Sequence, residues 1–293
     1  MSKIAFIYPG QGAQVCGMGQ DFYEQTKEGK ETFDLATDIL GFSVPELCFT
    51  ENDRLDITEY TQAAMVTTSI AMTKVLEAQG VKPDVTAGLS LGEYCAIASA
   101  GGMSTENAIT TVRKRGILMQ NAVPGGQGAM AAVLGLDAGK IEEVLADRSG
   151  VMIANYNCPG QIVISGSNKG IETACQKLTE AGAKRVLPLK VGGAFHSPLM
   201  EPARQELETA IKNTRFSTPV CPIYQNVDAQ PYTDPAKIQE NLIAQLTASV
   251  RWTQIMKNMI ADGATSFLEI GPGKVLQGLL KKVSTEIETN GIQ

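Results

Sequence analysis

A chain of 293 residues, 43% hydrophobic and 19% charged, has the composition of a globular protein with room for one large domain or two unequal ones, not of a disordered chain. Its net charge of −6 and pI near 5.0 disfavour nucleic acid as the main partner, because neutralising phosphates needs clustered cations. Six scattered cysteines with no C-x-x-C pair argue against metal or redox use and for reduced thiols in a cytoplasm, and no stretch approaches the length of a membrane helix.

The opening segment "KIAFIY" reads as a short buried strand closed by the turn "PGQG", and it is too short for a signal peptide. "QAAMVTTSIAMTKVLEAQG" has a helical apolar pattern ending at Gly80, as a C-capping glycine would end it. "PDVTAGLS" is then a strand entering a turn at Ser90, and "LGEYCAIASAGG" is the helix leaving it. A further helix is expected from about Ser104 to Asn121, after which "VPGGQG" reads as a flexible linker.

Beyond the linker the order is strand (Ala129–Leu134), helix (Lys140–Asp147), strand (Val151–Asn155), strand (Gln161–Ser165), helix (Gly170–Ala181) and strand (Lys184–Leu189). That βαββαβ order is the ferredoxin-like pattern. From "GGAFHSP" onward helix and strand signals alternate again. The expectation is an α/β protein whose larger part, 1–124 and 192–293, is interrupted by a small α+β part, 125–191, with ligands bound in the cleft between them.

Ser90 lies between Gly88 and Gly92, the G-x-S-x-G spacing of a nucleophile elbow. Glycine is about one residue in ten, so a given serine meets this spacing by chance roughly once in a hundred. The flanking strand and helix are those the motif requires, which favours a nucleophile over a structural turn. Backbone N–H groups at the start of that helix could stabilise an oxyanion. A serine hydroxyl needs a base, and the chain has one histidine, His196. His196 is therefore the base of a Ser–His enzyme, or a hydrogen-bonded structural residue. Its loop context, "VGGAFHSPLM", favours the base. No acidic residue is singled out by spacing to orient it, and a backbone carbonyl would also serve.

The helix "STENAITTVRKRGILMQNA" buries a stripe of Ile109, Val112, Gly116 and Met119. Lys114 then points to solvent, while Arg113 and Arg115 flank the stripe, and either could reach an anionic substrate group. "GPGK" at 271–274 lacks the spacing and the Ser/Thr of a phosphate loop and reads as a tight turn.

The segments "FIYPGQGAQ", "GLSLGEYCA", "VRKRGILMQ", "NCPGQIVISG", "GAFHSPLM", "QLTASVRW" and "EIGPGKVLQGL" together span nearly the whole chain. In that order they resemble the malonyl-CoA:acyl-carrier-protein transacylases of fatty-acid and polyketide synthesis. The resemblance implies an α/β-hydrolase-like large subdomain with an inserted ferredoxin-like small one. It also implies ping-pong transfer of malonyl from malonyl-CoA to the phosphopantetheine thiol of acyl carrier protein, without metal or redox cofactor. It assigns Ser90 as nucleophile, His196 as base, and the N–H groups of Gln11 and Leu91 as oxyanion hole. By the same likeness Arg115 binds the malonyl carboxylate, the carbonyl of Gln245 orients His196, and Phe195 crowds the substrate α-carbon. Where the family usually has histidine before the serine, this chain has Leu89, a departure expected to affect local packing or the shielding of the acyl-enzyme. The competing reading is a serine hydrolase acting on acyl-carrier thioesters. An acidic carrier would call for a basic patch, with Lys184, Arg185 and Lys190 as candidates.

Overall fold

The computed structural model describes residues 3–123, 126–146 and 150–293. Among these, ten strands form two sheets: β1 (Lys3–Tyr8), β2 (Val85–Gly88), β3 (Gly128–Leu134), β4 (Val151–Cys158), β5 (Gln161–Ser167), β6 (Arg185–Pro188), β7 (Ile223–Tyr224), β8 (Pro231–Tyr232), β9 (Ala264–Ile270) and β10 (Glu288–Ile292).

The larger sheet has the order β10-β9-β1-β2-β7-β8 and is parallel except for the β7–β8 pair. Its central strand is apolar on both faces because both are covered. Phe6 and Tyr8 pack into the cluster that contains Ile70 and Met72, whereas Ala5 and Ile7 pack into the one that contains Trp252 and Leu276. The helix Thr58–Ala78 lies on the first side; it starts one turn before the apolar run seen in the sequence and ends just ahead of Gly80, whose φ is 80°. β10 was not expected: its residues, ETNGI, carry no strand signal, and it is held by parallel pairing to β9.

The smaller sheet has the order β4-β5-β3-β6, antiparallel throughout, with helices Ala138–Leu145 and Asn168–Glu180 packed on it. This is the ferredoxin-like βαββαβ arrangement, inserted into an α/β-hydrolase-like subdomain. Its two helices start on side-chain caps, Asp137 accepting from Gly139 N and Ser167 from Gly170 N. Pro124 and Gly125 of the expected linker "VPGGQG", with the subdomain boundary drawn there, and the helix end expected at Asp147 lie outside the described residues.

β4 of the smaller sheet is tied to the larger part by backbone hydrogen bonds to Val250, just ahead of the helix Trp252–Ala261: Tyr156 N to Val250 O (2.9 Å) and Val250 N to Ala154 O (2.8 Å). The carboxyl ends of β1 and β2 open on the cleft between the subdomains, where parallel sheets place their ligands. Among the described residues no helix is long and apolar enough to cross a membrane.

Candidate active site

The chain turns from β2 into the helix Gly92–Ser99 through Leu89, Ser90 and Leu91. The flanking glycines are there because the turn is too tight for side chains. A Cβ on Gly88 would lie 1.9 Å from the Gly92 carbonyl carbon, and one on Gly92 would lie 2.2 Å from Tyr8 O. Ser90 sits at φ 51°, a left-handed conformation that costs a non-glycine residue on the order of 1 kcal/mol. Hydrogen bonds hold it there on both sides. Ser90 N donates to Asn226 Oδ1 (2.7 Å), Asn226 Nδ2 donates to Gly88 O (2.7 Å), and Gln245 Nε2 donates to Ser90 O (3.0 Å).

His196 also has a positive φ, 56°, and is buried. Its Nδ1 lies 2.9 Å from Gln245 O. A carbonyl only accepts, so Nδ1 carries the proton and Nε2 is left with its lone pair. Nε2 lies 2.6 Å from Ser90 Oγ, placed to accept the hydroxyl proton. Burial, and then the charge of Arg115, push His196 down to about 4, while its hydrogen bond to the Gln245 carbonyl pulls the other way. The imidazole is thus neutral at pH 7.

The two flanking arginines of helix Thr105–Asn121 go to different places. Arg113 pairs with Glu59 at 2.8 Å and lies over the Tyr60 ring, bracing one helix against another. Arg115 is 1% exposed and turns into the cleft. It donates to Gln62 Oε1 (2.8 Å), Ser90 Oγ (3.1 Å) and Gln245 Oε1 (3.2 Å), all neutral acceptors, and its Nε has no hydrogen-bond partner. Among the described residues no carboxylate lies within ion-pair distance of it, so the site holds a buried cation whose hydrogen-bond partners are all neutral, with the Glu93 carboxyl acting on it only at longer range. Lys114 is exposed.

Ser90, Leu91, Gln11, Arg115, Phe195 and His196 all line one cavity of about 350 Å³ between the subdomains. Leu89 lines it too, its Cδ2 close over Gly10, where a Cβ would come within 2.9 Å of it. The departure from the family pattern therefore forms cavity wall beside the "PGQG" turn. Among the described residues no protein acceptor occupies the N–H of Gln11 or of Leu91. Met130, Asn155 and Leu189 of the small subdomain form the facing wall. Lys184, Arg185 and Lys190 are exposed on and beside β6.

Sequence reasoning missed Gln62 and Asn226, and it missed the side-chain role of Gln245. Each is a buried amide whose partners lie far along the chain, from 53 to 155 residues away. The one available signal was Gln62, a polar residue inside an apolar helical run.

The description "acyl transferase domain" matches residues 5–290 of this chain. The malonyl CoA-acyl carrier protein transacylase of Bacillus subtilis (strain 168) is 47% identical over 294 residues, covering 99% of this chain and 93% of the relative. That of Staphylococcus aureus (strain MRSA252) is 42% identical over 298 residues, covering 100% and 96%. Among solved structures, an acyl carrier protein S-malonyltransferase from Vibrio cholerae superposes with a TM-score of 0.97 at 41% identity, over 100% of this chain and 97% of that one. A malonyl-transacylase in complex with its type II PKS acyl-carrier protein gives 0.96 at 37%, over 99% and 96%.

Proposed function

Because this chain belongs to the acyl transferase domain family, we propose that its cleft carries a malonyl group from malonyl-CoA to the phosphopantetheine thiol of an acyl carrier protein, through an ester on Ser90. The product supplies extender units for fatty-acid or polyketide chains. The observation that carries the reading is the single cluster in which Ser90 Oγ meets His196 Nε2 at 2.6 Å and the buried Arg115 guanidinium at 3.1 Å.

In the first half-reaction Ser90 Oγ gives its proton to His196 Nε2 and attacks the thioester carbonyl. The N–H groups of Gln11 and Leu91 receive the oxyanion. The C–S bond then breaks, and His196 returns the proton to the departing CoA sulfur. In the second half the carrier's thiol gives its proton to His196, its sulfur attacks the ester, and the proton returns to Ser90 Oγ. Thioester is exchanged for thioester by way of an ester, so the reaction as written calls for no metal or redox cofactor.

Arg115 selects the acyl group. An incoming malonyl carboxylate pairs with a guanidinium whose hydrogen-bond partners are otherwise all neutral, whereas an acetyl group leaves it without an ion-pair partner. Pairing also neutralises a charge that depresses His196, so the base strengthens when the right substrate is bound. Phe195, 6% exposed on the cavity wall, limits room at the α-carbon. Six unpaired cysteines suit a reducing cytoplasm.

Intact-mass measurement after mixing with malonyl-CoA tests the reading. One malonyl group should appear, mapped to Ser90, and absence of that adduct would falsify the mechanism. Release of free malonate in place of malonyl-carrier product would instead make the protein a hydrolase.

A further inference from the structure

Glu93 is fully buried, and no step of the reaction above uses it. It sits in the first turn of the helix Gly92–Ser99, and its carboxylate reaches under the elbow. Oε2 accepts from the backbone N–H of Asn226 at 2.6 Å, and Oε1 accepts from Gln225 Nε2 at 3.2 Å. Gln225 cannot turn its amide round, because its Nε2 also donates to Ile238 O (3.1 Å) and its Oε1 accepts from Asn241 Nδ2 (3.0 Å). Glu93 therefore faces two donors, and only a carboxylate accepts on both oxygens. Among the described residues it has no ion-pair partner. Burial pushes its carboxyl up to about 7, against the pull of those N–H groups, of the Gln245 amide and of the charge of Arg115. A carboxylate is costly to bury, and the shorter of its two hydrogen bonds ends on Asn226, the residue that grips the elbow.

We propose that Glu93 is a positioning residue for the nucleophile, acting through Asn226. The carboxylate fixes the backbone at 225–226. Asn226 then spans the elbow, taking the N–H of Ser90 and giving to the carbonyl of Gly88, both at 2.7 Å. Ser90 keeps its strained φ only while its surroundings over-determine it, and this chain of contacts does so. The proposal deepens the assignment of Ser90 as nucleophile and rests on it.

The test compares wild type with Glu93→Gln, Asn226→Ala and the double variant. Two readouts are used: malonyl transfer kinetics, and the rate at which a fluorophosphonate probe labels Ser90. In Glu93→Gln the new amide sets a donor against a donor. Labelling rate and kcat should each fall about 10- to 100-fold, with KM for malonyl-CoA within about two-fold of wild type, the signature of misplaced reacting atoms. Asn226→Ala should show the same loss, and the double variant should be no slower than the slower single one. Wild-type rates in Glu93→Gln overturn the proposal, as does a loss carried by KM or losses that multiply. Should Glu93→Gln not fold, Glu93→Asp and Asn226→Asp decide: slow labelling in both upholds the proposal, and a wild-type rate in either overturns it. Labelling needs no malonyl-CoA, so a wild type that labels but never takes malonyl overturns the functional reading and leaves this one standing.

Discussion

The two subdomains solve the folding problem in different ways. The ferredoxin-like part builds its strands from short apolar runs, starts its helices on side-chain caps and buries Ala131, Val133, Ile162 and Ile164 against Ile141, Ile171 and Leu178. The hydrolase-like part holds Ser90, His196 and Ala229, the three non-glycine residues with positive φ among those described. It also buries Gln62, Glu93, Arg115, Asn226 and Gln245. The positive-φ residues and most of the buried polar groups thus lie in one part, while the other, with few buried polar side chains such as Asn155 and Ser165, provides a wall to the cleft. Residues that depart from unstrained folding rules mark the chemistry, and residues that obey them mark the support.

The comparison breaks most visibly at the elbow itself. Replacing Ser90 or His196 by Ala should lower malonyl transfer at least ~10⁴-fold with little change in melting temperature, measured by carrier-protein mass shift and by calorimetry. A large drop in melting temperature would mean that these residues hold the fold together instead. Arg115→Ala should act one step down, lowering kcat/KM for malonyl-CoA by ~10²- to 10³-fold while raising acetyl transfer relative to it. Unchanged preference would give the carboxylate to another residue.

The small subdomain should show the reverse pattern. Ile164, fully buried between sheet and helices, should cost about 2–5 kcal/mol when changed to Ala, read in urea unfolding. Activity per folded molecule should stay near wild type, because Ile164 packs in the small subdomain's own core cluster, which does not include Ser90. Loss of activity without loss of stability would show that the wall is itself part of the catalytic machinery.

This division also explains what could be read from the sequence. The elbow was legible because steric contact dictates glycine at 88 and 92, and His196 because it has no rival. The small subdomain was legible because short apolar runs bounded by glycine turns are local signals. Periodicity could not choose between Arg113 and Arg115, since both flank the same stripe. Their destinations are set by Glu59 and Gln62, three residues apart on another helix. Asn226 and the Gln245 side chain were out of reach for the same reason: hydrogen bonds across more than a hundred residues leave no local pattern. β10 was missed because pairing, not propensity, makes it a strand.

The smallest expected effect concerns acid, where the buried groups around the elbow oppose each other. His196 is held at about 4 in the folded protein, against roughly 6.5 when unfolded. Between those values the unfolded chain binds a proton that the native site refuses, so this residue makes stability fall as pH falls. Glu93 has the opposite sign. Its carboxyl is raised to about 7, so below that pH the native state takes a proton that the unfolded chain does not take until near 4.5, and stability rises as pH falls. Over the shared interval the two slopes offset, and wild type should show little pH dependence from this pair. A His196→Asn variant removes only the destabilising member. Its stability relative to wild type should therefore climb as pH drops from 6.5 toward 4, by at most about 1.4 kcal/mol per pH unit. Urea unfolding at a series of pH values reads the slope directly. A difference that stays flat across that range would mean that the imidazole takes its proton in the folded protein near the ordinary value, and that the site is less desolvated than its geometry implies.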